Sequence, residues 1–108
     1  MAIDTSAFVY STLGTDPDLQ DLVALFADEM PARIEQLVAR FEAGEFVELQ
    51  RSAHQLKGAA GSYGFHAVTP LAGRLEMTLR TDHIEDAIKA DLDALVELCG
   101  RIRAGSAA

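Results

Sequence analysis

Ala53-His54-Gln55-Leu56-Lys57-Gly58-Ala59-Ala60-Gly61-Ser62-Tyr63-Gly64 is the stretch on which the reading of this chain turns. Together with the residues just before it, Phe46, Leu49, Ala53, Leu56 and Ala60 recur at separations of three and four residues. That spacing draws one apolar stripe along a helix running from about residue 45 to 63. His54 lies beside the stripe. At about 100° per residue it shares a face with Gln50, Lys57, Gly58 and Gly61. Such a face is polar, cationic and nearly without bulk. Glycine inside a helix costs about 1 kcal/mol relative to alanine. Glycines at 58 and 61, with another at 64, are therefore unfavourable unless something large has to reach the imidazole.

Imidazole offers an uncharged nitrogen nucleophile near neutral pH, which few other side chains do. Phosphoryl transfer makes modest demands on such a nucleophile, because it passes through a loose transition state and is helped mainly by positioning and charge stabilisation. Lys57, three residues on and on the same face, can supply one positive charge. The machinery of an ATP-using enzyme is missing. There is no G-x-x-x-x-G-K-[ST] loop, no kinase-type glycine-rich loop, and no tight carboxylate cluster beside His54 to hold magnesium.

Each of these residues has an ordinary structural explanation. A lone histidine at the edge of an apolar helical face is most often part of the packing, and a lone lysine is most often a solvated or snorkelling side chain. The glycines could serve tight helix packing or end the helix, with Gly64 as a C-terminal cap. Taken together, the ordinary explanation must account for three unfavourable choices around one nucleophile, and the functional reading is preferred.

The pattern H-x-x-K-G-x-x-G-x-x-G after an apolar-periodic run resembles the histidine-containing phosphotransfer (HPt) domain. The resemblance spans residues from about 19 to 99, including Phe26-Ala27-Asp28-Glu29-Met30-Pro31 upstream and Leu71-Ala72-Gly73-Arg74-Leu75-Glu76 downstream. It implies that His54 accepts a phosphoryl group from the aspartyl phosphate of one receiver domain and passes it to another. It also implies that Lys57 is the neighbouring cation and that Gly58, with Gly61, clears the approach of the docking partner. Gln50 stands where the family often has a polar residue and is a candidate for polar support. On this reading the protein is a covalent carrier rather than an enzyme. It has no cofactor of its own, and Mg2+ and the aspartyl chemistry come from the partner receiver. Partners are response-regulator receiver domains or a hybrid sensor histidine kinase. Tyr63 and Phe65 flank Gly64 where the family often has smaller residues, a departure expected to bear on partner choice.

The remaining chemistry-bearing residues do not form a rival site. His66 falls in an expected turn and His83 near a helix start, both as incidental surface residues. A carboxylate-bridged metal bundle wants Glu-x-x-His pairs, and the chain has none. The single cysteine, Cys99, can form neither an intrachain disulfide nor a cysteine cluster for zinc, and its spacing from Leu92, Leu95 and Ile102 makes it a core residue.

The chain has 108 residues, 49% of them hydrophobic, and a formal net charge of −8. That length suits one domain over residues 1–104, with 105–108 as a disordered tail. The acidic balance argues against nucleic acid and anionic membranes, which demand a basic footprint. Residues 1–20 lack a basic start followed by an apolar region, and no apolar run approaches the length of a membrane span. A cytoplasmic, monomeric carrier is expected.

Helix punctuation places the rest. Asp4 or Thr5 can cap a short helix through Phe8 to Leu13, stopped by Gly14. Asp16 before Pro17 signals the next start. Leu19, Leu22, Phe26, Met30, Ile34, Leu37 and Phe41 then hold one register across Pro31 to Gly44, as one long helix kinked at the proline or as two. Val68, Leu71, Leu75 and Leu79 mark a further helix with Pro70 in its first turn. Asp82 with Glu85 forms a capping box for the last, whose stripe is Ile84, Ile88, Leu92, Leu95, Cys99 and Ile102. Such amphipathic helices on short turns predict an all-α fold. Its simplest form is an antiparallel up-and-down four-helix bundle with a short additional N-terminal helix across one end. Phe8, Val9 and Tyr10 cannot all face inward from so short a helix. Some of them, or Tyr63, are therefore candidates for a docking surface as well as for end-of-bundle packing.

Two other functions keep the same shape. One is an interaction-only bundle that binds a partner without phosphate transfer. The other is the phosphoacceptor domain of a chemotaxis-type histidine kinase, and a chain that opens on Met without a trailing linker favours a free-standing carrier over it.

Overall fold

The apolar periodicity along the central part of the sequence becomes four helices in the computed structural model, which describes residues 8–81 and 84–105. Helices α1 (Gln20–Glu42), α2 (Phe46–Ser62), α3 (Val68–Thr81) and α4 (Glu85–Cys99) follow a short strand β1 (Val9–Tyr10) and precede a second, β2 (Ile102–Arg103). Among the described residues no helix is long and apolar enough to cross a membrane.

Helix α1 runs uninterrupted through Pro31. The proline ring removes one backbone donor, yet Phe26 and Met30 before it and Leu37 after it are all buried, so packing on both sides holds a single helix. The helix starts later than the Asp16-Pro17 signal, at Gln20, and the turn that leads into it is organised by Asp16. Its Oδ1 accepts the Asp18 N–H at 2.8 Å, and its carbonyl accepts the Leu19 and Gln20 N–H groups at 3.0 and 2.8 Å. The seam passes through Val23 rather than Leu22, which is 45% exposed. Both positions satisfy helical spacing, so packing alone decides between them. Gly44, at φ +72°, turns the chain out of the helix, where the left-handed backbone is cheapest for glycine.

The core gathers Leu49, Ala53, Leu56 and Ala60 of α2 with Val68, Ala72, Leu75 and Leu79 of α3 and Ile88, Leu92, Leu95 and Cys99 of α4. Phe65, in the turn after α2, is completely buried and stacks on Phe26 at 5.4 Å between ring centroids. The expectation that Phe65 helps select a partner is thereby corrected, since no partner can touch it. Tyr63 is half-buried, with its ring 5.3 Å from that of Phe26. Cys99 is a core residue as expected, and burial pushes its thiol up to about 12, which leaves it unreactive.

The N-terminal element differs from expectation. Phe8–Leu13 is not helical. Val9 and Tyr10 instead pair in parallel with Ile102 and Arg103, and the Val9 N–H donates to the Arg101 carbonyl at 2.7 Å. A helix of little more than two turns has too few internal hydrogen bonds to stand without packing, whereas Val and Tyr suit a strand and pair with the chain just after α4. The expected caps Asp4 and Thr5 lie outside the described residues. The last stripe is shorter than expected as well, because α4 ends at Cys99 and Ile102 is buried in β2. Position 84, read as part of that stripe, is the N-cap and 56% exposed. Asp82, the expected partner of Glu85, and His83 lie outside the described residues. So do residues 106–108 of the expected tail, while Gly105 packs so closely on Gly14 that a Cβ there would stand 2.0 Å from its carbonyl oxygen.

Candidate functional site

His54 occupies the middle of α2, on the face that the apolar stripe leaves outside the core, and its side chain is 66% exposed. Three contacts order the two helices beside it. His54 meets Glu76, the Lys57 stem passes Gly73, and Gly61 faces Thr69, so α2 and α3 are traversed in opposite senses. That pairing brings Glu76 of α3 to the imidazole.

Glu76 is the residue that sequence reasoning missed. Its Oε2 lies 2.7 Å from His54 Nδ1 and its Oε1 accepts a hydrogen bond from Lys57 Nζ at 2.7 Å. One carboxylate thus ties together the two residues singled out from the sequence. The glutamate is buried, with only 10% of its side chain exposed. Its position carries a signal. Glu76 follows Val68 by eight residues and Ala72 by four, and precedes Leu79 by three, so it stands on the apolar seam of α3. A charge on a buried seam requires a partner. The question of which partner leads to Lys57 and His54.

The electrostatics settle the tautomer. The Lys57 ammonium, helped by His54 and opposed by burial, holds the Glu76 carboxyl below its ordinary 4.5. Glu76 is accordingly an anion at neutral pH, and a carboxylate can only accept hydrogen bonds. The proton of the His54–Glu76 bond therefore sits on Nδ1. In the neutral ring Nε2 is left with its lone pair, on the side of the imidazole away from α3. A buried acid thus occupies one ring nitrogen and leaves the other without a bond to it.

The depressed carboxyl has a consequence for stability. An unfolded chain takes up this proton near 4.5, above the folded value, so the pair stabilises the fold at neutral pH and loses that contribution as pH falls through 4.5 and below. Urea midpoints measured from pH 7 to pH 3 should fall more steeply for wild type than for Glu76→Gln over the acid end of that range. Parallel curves would show that the network contributes no proton-linked stability.

The remaining sequence candidates separate. A Cβ on Gly58 would meet nothing within 4 Å, so this glycine opens onto solvent beside His54 and serves no internal packing. Gly61 is different, since a Cβ there would come 3.6 Å from Thr69 Oγ1, an ordinary contact with α3. Gln50 lines a hollow of about 230 Å³ together with Arg51, His54, Gln55 and Glu76. Gly64 is the helix terminator it was read to be, at φ +80°, with the Phe65 N–H donating back to the Ala60 carbonyl at 2.8 Å. His66 is exposed in a turn, with Nε2 at 3.4 Å from Thr12 Oγ1 and, among the described residues, no carboxylate bonded to it. Among the described residues no three His, Cys, Asp or Glu side chains come together as a metal-ion ligand set.

A four-helix scaffold thus displays one exposed imidazole buttressed by a buried carboxylate. The family model of the Hpt domain matches residues 21–105, and the chain belongs to that family. No curated protein and no solved structure matches it significantly. Hpt domains are phosphocarrier modules of two-component signalling that interact with receiver domains and kinases, and this chain accordingly has a phosphotransfer role.

Proposed function

We propose that the protein is a phosphorelay intermediate, built as an up-and-down antiparallel bundle. His54 Nε2 takes a phosphoryl group from the aspartyl phosphate of one receiver domain and delivers it to another. The observation that carries this reading is the ionised, buried Glu76 on Nδ1 of an exposed imidazole. In the forward step the Nε2 lone pair forms the N–P bond while the P–O bond to the aspartyl carboxylate breaks, its electron pair leaving with the carboxylate oxygen. The ring keeps its Nδ1 proton and gains positive charge, which the Glu76 carboxylate faces at 2.7 Å. Transfer onward runs the same bonds in reverse on a second receiver.

Lys57 contributes by neutralising Glu76, which would otherwise repel the incoming phosphoryl dianion. Gly58 leaves room for the receiver, and Gln50 supports the site from the hollow at its edge. Magnesium and the aspartate belong to the partner, and the carrier acts as a monomer that releases its partner after each transfer. An interaction-only bundle has no use for a buried carboxylate aimed at an exposed imidazole, so the network favours the chemical role.

The test mixes the protein with magnesium and a panel of phosphorylated receiver domains and follows label on wild type and His54→Gln. Wild type alone should acquire label that is acid-labile and base-stable. Equal labelling of the variant, or none of wild type while its fold is intact, would overturn the proposal.

A further inference from the structure

Two cations flank His54 on α2, one three residues before and one three residues after, and they are held in different ways. Lys57 is committed to Glu76 at 2.7 Å, a partner whose side chain is only 10% exposed. Pulling the ammonium towards another anion would leave a buried carboxylate uncompensated. Among the described residues Arg51 is held only by Glu48 at 3.2 Å, with side-chain exposures of 71% and 45%. An exposed pair of this kind is weak and screened by salt, so its guanidinium is easily recruited.

Position agrees with availability. Glu76 takes Nδ1 on the α3 side, which turns Nε2 away from α3. Arg51 is one helical step from His54 on the surface and lines the same hollow of about 230 Å³. That volume is several times the roughly 30 Å³ share of one water in the liquid. Guanidinium presents a planar fork of donors that matches two oxygens of a phosphoryl group, which ammonium cannot do.

We propose that Arg51 is the residue of this site that binds the phosphoryl group on His54 Nε2, released from Glu48 as the phosphoryl arrives. The assignment rests on the carrier reading. It divides labour between the two cations: Lys57 keeps Glu76 in place, and Arg51 meets the phosphate. Gln50 and Gln55, which line the hollow with it, bound the space in which the guanidinium moves.

Phosphoramidate, a small phosphoryl donor, allows the test without any receiver. The phosphorylated protein is titrated by 31P NMR at low salt, where a cation beside the phosphoryl group lowers its titration midpoint. Arg51→Gln should raise that midpoint by about half a pH unit, Arg51→Lys should restore part of the shift, and Glu48→Gln should lower the midpoint below that of wild type. Lys57→Gln should move it less than Arg51→Gln. Circular dichroism on each variant checks that the helices persist, as expected for exposed positions on α2. An unchanged midpoint in Arg51→Gln, or a larger shift in Lys57→Gln, overturns the assignment while leaving His54 as the carrier. Failure of wild type to take label from phosphoramidate or from any receiver is a separate result, which removes the carrier reading and the Arg51 role together.

Discussion

Glu76→Gln is expected to slow phosphoryl acceptance by His54 about 10- to 100-fold with the helices still folded, the range found where a carboxylate that orients a metal-bound imidazole is removed. Glutamine is nearly isosteric, so the loss isolates charge and proton placement from shape. The anionic Glu76 can only accept, which confines the proton to Nδ1. A glutamine can turn its amide and donate to Nδ1 instead, and the ring proton then moves to Nε2 and occupies the attacking nitrogen. Even in the other amide orientation, the positive charge that develops on the ring meets a dipole where a carboxylate stood 2.7 Å away. Lys57 loses its anion at the same time. Rapid-mixing measurements of label transfer from a phosphorylated receiver would read the rate directly. Glu76→Asp, which keeps the charge but shortens the reach, should fall between the two. Transfer by Glu76→Gln at the wild-type rate would show that His54 acts without its carboxylate.

The contrast between His54 and Glu76 shows what a single sequence carries and what it does not. His54, Lys57 and the neighbouring glycines lie within one helical segment, where period and spacing alone place them on a common face. Glu76 joins them only through a pairing of two helices, and pairing depends on which turn of α3 meets which turn of α2. The charge on the α3 seam announced that a partner was needed without naming it. The four helices were legible because each repeats its apolar spacing over several turns. Val9, Tyr10 and Ile102 were misread because two-residue strands have no period to detect, and their pairing joins parts of the chain far apart in sequence. Leu22 stands on the expected stripe although Val23 is the buried residue, because spacing permits either and the choice is made by what lies opposite.

The second large effect concerns stability, and two glycines with similar backbone angles separate its causes. Gly44 and Gly64 have φ of +72° and +80°. Alanine at either must adopt a left-handed backbone, at about 1–2 kcal/mol. At Gly44 nothing lies within 4 Å of the added methyl, so Gly44→Ala should cost about that and no more. At Gly64 the methyl would stand 2.5 Å from Ser11 Oγ and 2.8 Å from Thr12 Oγ1. Ser11 is no loose side chain, since its hydroxyl donates to the Tyr63 carbonyl and accepts from the Leu13 N–H at 2.9 Å. The Thr12 N–H adds a bond to the Gly64 carbonyl at 3.0 Å, so the segment after β1 is latched onto the turn between α2 and α3. Relieving the overlap means breaking this latch, and each lost hydrogen bond adds about 1 kcal/mol. Gly64→Ala should therefore destabilise by about 3–4 kcal/mol, a large share of the roughly 5–15 kcal/mol that holds a domain together. Urea unfolding of both variants decides the matter. Equal midpoints for Gly44→Ala and Gly64→Ala would mean that backbone strain is the whole effect and that the N-terminal latch contributes nothing to the stability of the bundle.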